Sequence, residues 1–146
     1  MEEGTGFTRM TKKELSKYYY LSLEINDLEE RIGMLNETSI GSSKITGMPV
    51  VHSNESPIEK RVELLIRLKD KLEKRKVQAL EEMEKIEKYI STIEDIEIRL
   101  IFYKRYLDFK SWEEIADEMF LSERTVYRRH SNWLKQELTV NQVSSK

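Results

Sequence analysis

The sequence predicts an all-α protein in two parts. An antiparallel hairpin of long, coiled-coil-like helices comes first, and a C-terminal domain built on two short helices and a tight turn follows. Three observations carry this. Two segments place apolar residues at alternating steps of three and four over many turns, which is the spacing of one helix face. Helix-start signatures recur at Thr11, Ser56, Ser111 and Ser122. Charged residues make up 36% of the chain and hydrophobic ones 38%, with two prolines and five glycines, a balance that suits exposed helices better than a large core.

Residues 1–10 read as a disordered N-terminus. Residues 11–94 read as the hairpin and a self-association region, residues 95–138 as a helix-turn-helix domain, and residues 139–146 as a frayed tail. Thr11 with Glu14 is a capping-box pair for the first helix. Tyr18, Leu21, Ile25, Leu28, Ile32 and Leu35 then form a heptad seam, with Gly33 a weak spot near its end. From 37 to 56 the chain is rich in Ser, Gly, Thr and Asn and reads as a loop, with a short extended piece from Met48 to Val51. A loop this long is unusual in a compact domain. His52 lies in it and reads as a solvated loop histidine.

Ser56-Pro57-Ile58-Glu59 starts the second helix, with Ser at the N-cap, Pro at the first position and Glu at the third. Its expected seam is Val62, Leu65, Leu72, Ala79, Met83, Ile86, Ile90 and Ile93. Lys69 and Lys76 interrupt it and Leu68 sits one position off, so the stripe is expected to change face midway, as at a stutter. At 1.5 Å per residue the two helices would be roughly 35–40 Å and roughly 50 Å long. Each stripe is narrow and the pair alone buries little, so a second copy is expected to cover it, most simply in a homodimer. The alternative is a long helix covered within the monomer by the C-terminal domain.

Thr92 with Asp95, or Asp95 alone, can cap a helix from Ile96 to Leu107, with Leu100, Tyr103 and Leu107 as its core face. Whether the preceding helix bends here or runs on is open. Ser111 and Glu114 form a second capping box, and Trp112, Ile115, Ala116 and Met119 make one apolar face. Phe120-Leu121 form the turn and Ser122 caps the last helix. On that helix, about 123–134, Val126, His130 and Trp133 face inward with Leu134 at the edge, and Arg124, Tyr127, Arg128 and Ser131 repeat on the other side. From Arg124 to Lys135 there are four basic residues and no acidic one. A basic helix face alone is commonly just solvated, so the periodicity does not decide for DNA by itself.

The residue pattern adds to it. The run Leu100-Ile-Phe-Tyr-Lys-Arg-Tyr106, then Ser111-Trp-Glu-Glu-Ile-Ala116, then Leu121-Ser-Glu-Arg-Thr-Val126 resembles region 4 of bacterial sigma factors over Ile96 to Leu138. The string Arg124-Thr-Val-Tyr-Arg-Arg-His130 is similar to the small phage and prophage transcriptional regulators of Gram-positive bacteria that carry this sigma-like domain, the ArpU and RinA type. The resemblance implies a sequence-specific, double-stranded-DNA-binding transcriptional regulator in a bacterial cytoplasm, and it allows contact with RNA polymerase. No upstream sigma regions are recognisable, so a complete sigma factor is not expected. One departure is Phe120, where many such turns have glycine. Either the turn keeps ordinary dihedrals, or Phe120 bears strain while packing on its neighbours.

A helix entering the major groove through this face assigns the following contacts. Arg124 and Arg128 are placed to read base edges, guanine above all. Tyr127 can meet a thymine methyl or a phosphate, and Ser122, Glu123 and Ser131 are secondary candidates. Glu123 can accept from cytosine or only favour the helix N-terminus. Thr125 caps or touches the DNA backbone, and Lys110 and Lys135 hold phosphates. Arg129 is expected to pair with Glu113 or Glu114, and His130 to be packed.

No enzyme is expected. The two histidines lie far apart, and neither a Gly-rich phosphate loop nor metal-ligand spacing occurs, so no cofactor is implied. The absence of cysteine excludes disulfides and thiol sites. No apolar run approaches the roughly 20 residues of a bilayer span, and no signal-peptide pattern is present, so a cytoplasmic protein without a membrane partner is expected. The formal net charge of −2 argues against a strongly basic, non-specific binder. Two other functions fit the same features: a phage small terminase subunit, and a helical adaptor or scaffold protein.

Overall fold

The computed structural model describes residues 9–41 and 56–143, without the side chains of 38–41 and 138–143. All regular structure among them is helical: α1 Lys12–Gly41, α2 Pro57–Ser91, α3 Ile96–Phe102 with a π-helical turn Tyr103–Leu107 running on from it, α4 Trp112–Met119 and α5 Glu123–Val143. No helix among the described residues is long and apolar enough to cross a membrane. The extended piece expected at Met48 to Val51, and His52, lie outside the described residues.

The helix starts follow the caps. Thr11 Oγ1 accepts from Glu14 N at 3.2 Å and Glu14 Oε2 accepts from Thr11 N at 2.8 Å, a reciprocal capping box. Ser56 Oγ accepts from Glu59 N at 3.1 Å. Asp95 caps α3 without help from Thr92: its Oδ1 accepts from Glu97 N at 2.9 Å and Ile98 N at 3.1 Å. Thr92 instead turns its hydroxyl back to Tyr89 O at 2.6 Å, where it helps close α2. So α2 ends at Ser91, and Arg99 Nη1 fastens the break by donating to Ile93 O at 2.9 Å. At its far end α1 continues through Glu37 to Gly41, where the composition predicts a loop. Extending a nucleated helix through polar residues costs only tenths of a kcal/mol each, so a loop-like composition does not stop it at once.

The chain forms two compact units, one spanning Leu21–Ala79 and the other built from the chain up to Tyr20 and from Leu80 onward. In the Leu21–Ala79 unit, Leu21, Leu28, Ile32 and Ala79 are buried. The half-buried positions of α2 in this unit are Arg61, Leu65, Leu68, Leu72 and Arg75, which lead to Ala79 in steps of three and four. The expected stutter is therefore absent. Val62, placed in the seam from sequence, is 49% exposed. Leu68 holds the position given to Lys69, and Arg75 occupies a seam site because Glu24 accepts its Nε–H at 2.8 Å. Lys76 pairs with Glu29 at 3.6 Å alongside. A guanidinium with its stem packed and its head paired can hold a seam position, a possibility that a search for apolar residues passes over.

In the other unit one cluster gathers Met10, Leu15, Ile86, Tyr89, Ile90, Ile93, Phe102 and Tyr106, with Trp133 and Leu134 against it. Met10, assigned from sequence to a disordered end, is 6% exposed in this cluster. Arg9 Nη1 donates to Glu137 O at 3.2 Å, Tyr89 donates to Glu137 Oε2 at 2.5 Å, and Trp133 Nε1 donates to Tyr89 Oη at 3.3 Å. Glu82 is buried and paired with Lys17 at 3.1 Å and Lys85 at 3.3 Å. Burial alone would raise its carboxyl, but the two lysines outweigh it and hold the group below the usual carboxylate range.

A second cluster, Ile101, Ile115, Ala116 and Val126, joins α3, α4 and α5, with Trp112, Met119 and Leu121 at its edge. The core face of α3 is Ile101, Phe102 and Tyr106. Of the expected face of Leu100, Tyr103 and Leu107, the last two pack half-buried against the first cluster, while Leu100 is 42% exposed. Several apolar residues run together here, so several stripes fit the sequence equally well. Asp108 N reaches Tyr103 O at 3.1 Å, and this wider turn re-aims the chain at the end of the segment. Phe109 follows at φ 57° and packs against Tyr18 and Tyr19, with ring centroids 5.0 and 5.3 Å away.

Candidate nucleic-acid interface

The α4–α5 pair is set by two caps and one strained turn. Ser111 Oγ accepts from Glu114 N at 3.2 Å and Glu114 Oε2 accepts from Ser111 N at 2.8 Å, closing the predicted box. Arg105 fixes the same corner from the π-helical turn: its guanidinium carbon lies 4.4 Å from the Trp112 ring centroid and its Nη1 donates to Lys110 O at 3.0 Å. At the end of α4, Phe120 adopts φ 55° and ψ 39°, and Leu121 N bonds back to Ala116 O at 3.0 Å. This is the left-handed helix ending that glycine usually makes. Phe120 takes it without packing on its neighbours, since it is 96% exposed. Of the two expectations for this residue, the strain is present and the packing is not.

A left-handed backbone costs an L-residue about 1–2 kcal/mol, and Phe120 has no burial to offset it. Phe120→Gly is therefore expected to stabilise the protein by about 0.5–1 kcal/mol, after glycine's greater freedom in the unfolded chain is subtracted. Urea titration of both proteins checks this, and a lower midpoint for the glycine variant would contradict it.

Ser122 caps α5 as expected, accepting from Thr125 N at 3.1 Å, and its hydroxyl lies 2.7 Å from that of Thr125. Ser122 and Thr125 are thus engaged with each other at the helix start. Val126 and His130 are buried on the inner side, with Trp133 and Leu134 half-buried. On the opposite side Arg124, Arg128 and Lys135 are exposed and Ser131 is half-buried. Arg124 and Arg128 make no ion pair among the described residues. Glu123 is exposed in the first turn of α5. Tyr127 is 47% exposed and stands edge-on to Trp112, with ring centroids 5.3 Å apart. Its ring is held by Trp112 while about half of the side chain stays exposed. Six predicted contacts, from Ser122 to Arg128, thus come together on the first two turns of α5 and its cap, with Ser131 and Lys135 further along.

Lys110 stands differently. Its ammonium and that of Lys104 both pair with Glu118 of α4. Hydrogen bonds from Lys104 and then Lys110 hold the Glu118 carboxyl below the usual range, and Glu118 in turn raises Lys110. Two lysines on one carboxylate leave a net positive charge, but Lys110 is tethered toward α4 when no phosphate is present.

Arg129 pairs with Glu97 of α3, which corrects the expected partner among Glu113 and Glu114. The expectation took the nearest carboxylates of the neighbouring helix. In the fold α3 also borders α5, and no local spacing marks a partner so far back in the chain.

The family described as a protein of unknown function, DUF1492, matches residues 58–138, more than half of the chain. The chain belongs to the DUF1492 family. No curated protein and no solved structure matches it. The DUF1492 span begins one residue into α2 and ends within α5, so it includes every candidate contact named above.

In this DUF1492 chain the candidate face rests on His130. Its Nε2 shares a hydrogen bond with Tyr106 Oη, the rings of Trp112 and Phe102 lie 4.7 and 5.1 Å away, and Nδ1 has no partner among the described residues. Burial first, then the charges of Lys12 and Arg105, lower its pKa from 6.5 to about 4. Burial also raises the Tyr106 hydroxyl, which stays protonated. The unfolded chain therefore takes up a proton between pH 6.5 and 4 that the folded one refuses. Stability from this group is complete above about pH 6.5 and falls as the pH drops to 4, by up to about 3 kcal/mol. Chemical denaturation across that range should show a steeper fall for the wild type than for His130→Gln, whose amide does not titrate. Parallel curves would place the pH dependence elsewhere.

Proposed function

We propose that this DUF1492 chain is a sequence-specific DNA-binding transcriptional regulator of phage or prophage type. In this reading α4 and α5 form a helix-turn-helix similar to sigma region 4, and the start of α5 enters the major groove. Arg124 and Arg128 read base edges, Tyr127 and Ser131 flank them, and Lys110 and Lys135 hold phosphates. α1 and α2 pair as an antiparallel hairpin and carry self-association, and the resemblance to sigma region 4 allows contact with RNA polymerase.

The observation that supports this most is the state of Arg124 and Arg128. Both are exposed on the face of α5 opposite Val126 and His130, and neither has an ion pair among the described residues. The other arginines of the same compact unit, Arg9, Arg99, Arg105 and Arg129, are engaged within the protein. Structural arginines here find partners, and these two are left to meet something outside.

Selection of bound fragments from native genomic and random DNA, followed by affinity measurement over a salt series, tests the reading. A recurrent site whose affinity falls steeply with salt is expected. Absence of any salt-sensitive binding would overturn it and favour a helical adaptor, and a large ring in solution would point to a packaging subunit.

A further inference from the structure

α2 carries a second apolar stripe that its inward seam does not use. Val62, Ile66, Val77 and Leu80 are 49%, 63%, 57% and 55% exposed. At 100° per residue they fall on one side of the helix, well away from the seam of Leu65, Leu68, Leu72 and Ala79. Lys69 and Glu73 occupy the same side midway between the two apolar pairs, and both are exposed. Lys69 makes no ion pair among the described residues, and Glu73 has a loose contact of 3.9 Å with Lys76.

This arrangement is palindromic. Read from either end, the stripe runs apolar, apolar, charged, charged, apolar, apolar. The two halves differ in the sign of the central charge. A second copy laid antiparallel about the midpoint therefore meets complementary groups from Val62 to Leu80, and Ile58, 75% exposed one turn earlier, lies beyond the paired stretch. Val62 faces the partner's Leu80, Ile66 faces the partner's Val77, and Lys69 faces the partner's Glu73, each contact occurring twice. A parallel copy would set Lys69 on the partner's Lys69. The stripe is about 27 Å long, a helix–helix contact of ordinary extent. Self-complementarity of one patch about a two-fold axis is what an isologous dimer requires, and polar or charged residues placed in an apolar seam can fix helix register and orientation.

We propose that α2 is the dimerisation helix of this protein, pairing antiparallel with α2 of a second copy through Val62, Ile66, Lys69, Glu73, Val77 and Leu80. This rests on the self-association reading above and specifies its face and orientation.

Sedimentation velocity of the full chain over about 1–100 µM tests it. The wild type is expected to dimerise. Lys69→Glu or Glu73→Lys alone makes both cross-pairs repulsive and should weaken the dimer at least about tenfold. An equimolar mixture of the two variants should recover near wild-type association. The first variant carries acids at both central positions and the second carries bases at both, so each cross-pair of the mixed dimer is again of opposite sign. A wild type that stays monomeric throughout would overturn self-association and this face together. A dimer that neither reversal weakens and the mixture does not restore would leave self-association standing and overturn this face.

Discussion

Alanine at both Arg124 and Arg128 is expected to weaken binding of the full chain to its selected DNA site by at least about 30-fold, since each guanine-reading arginine is worth about 1–3 kcal/mol. Both side chains stand in solvent without intramolecular ion pairs among the described residues, so removing them should leave folding unchanged. The loss would then be a loss of contact. Conservative changes sharpen the test. Arg124→Lys and Arg128→Lys keep the charge and lose the planar fork, so they should relax base preference while preserving most of the salt dependence. Arg129→Ala should behave in the opposite way, lowering stability through Glu97 with base preference intact. Competition titrations on the selected site and single-base variants measure all of these. Unchanged affinity with alanine at both Arg124 and Arg128 would reject the assigned docking of α5.

Phe102→Ala should cost about 3–5 kcal/mol of folding stability, out of the roughly 5–15 typical of a domain. Phe102 is fully buried, with the rings of Tyr89, Tyr106 and His130 centred 6.3, 5.5 and 5.1 Å from its own. It therefore links α2, α3 with its π-helical turn, and α5, and its removal leaves a cavity among aromatic groups that cannot close without tilting His130. A lower urea midpoint with an unchanged slope is the expected signature. Phe102→Leu, which fills more of the space, should lose markedly less. A Phe102→Ala protein as stable as the wild type would mean that this cluster is not the core of its unit.

What the sequence disclosed about these sites was local. The caps at Thr11, Ser56, Asp95, Ser111 and Ser122 each depend on a side chain meeting a backbone N–H two or three residues on, so their spacing can be read directly. The inner stripe of α5 is legible for the same reason. The opposite failures share a cause too. Arg129 with Glu97, Arg75 with Glu24, and Glu82 with Lys17 are partners far apart in the chain. A charge inside a seam looks like an interruption until its partner is placed. Ile101 and Phe102 hold the core of α3 where Leu100 is expected because its residues are apolar on several sides, and the wider turn at Tyr103 leaves no mark in composition. Phe120 is legible as a departure, but whether it is covered depends on what surrounds the turn.

The meeting of Arg9 with Glu137, and of Met10 and Leu15 with Phe102 and Tyr106, has a consequence for the order of events in the cell. A chain made from its N-terminal side holds Met10 and Leu15 uncovered until α2, α3 and the π-helical turn, which supply Ile86, Ile90, Phe102 and Tyr106, have emerged. The helices can form as they appear, but the unit carrying Arg124 and Arg128 closes fully only when both Arg9–Leu15 and Glu137 are present. Contacts this distant in sequence slow folding relative to the helices they join. A fragment limited to α3, α4 and α5 would lack the side chains that seal its own base, so the interface and the Arg9–Leu15 segment are inherited together or lost together.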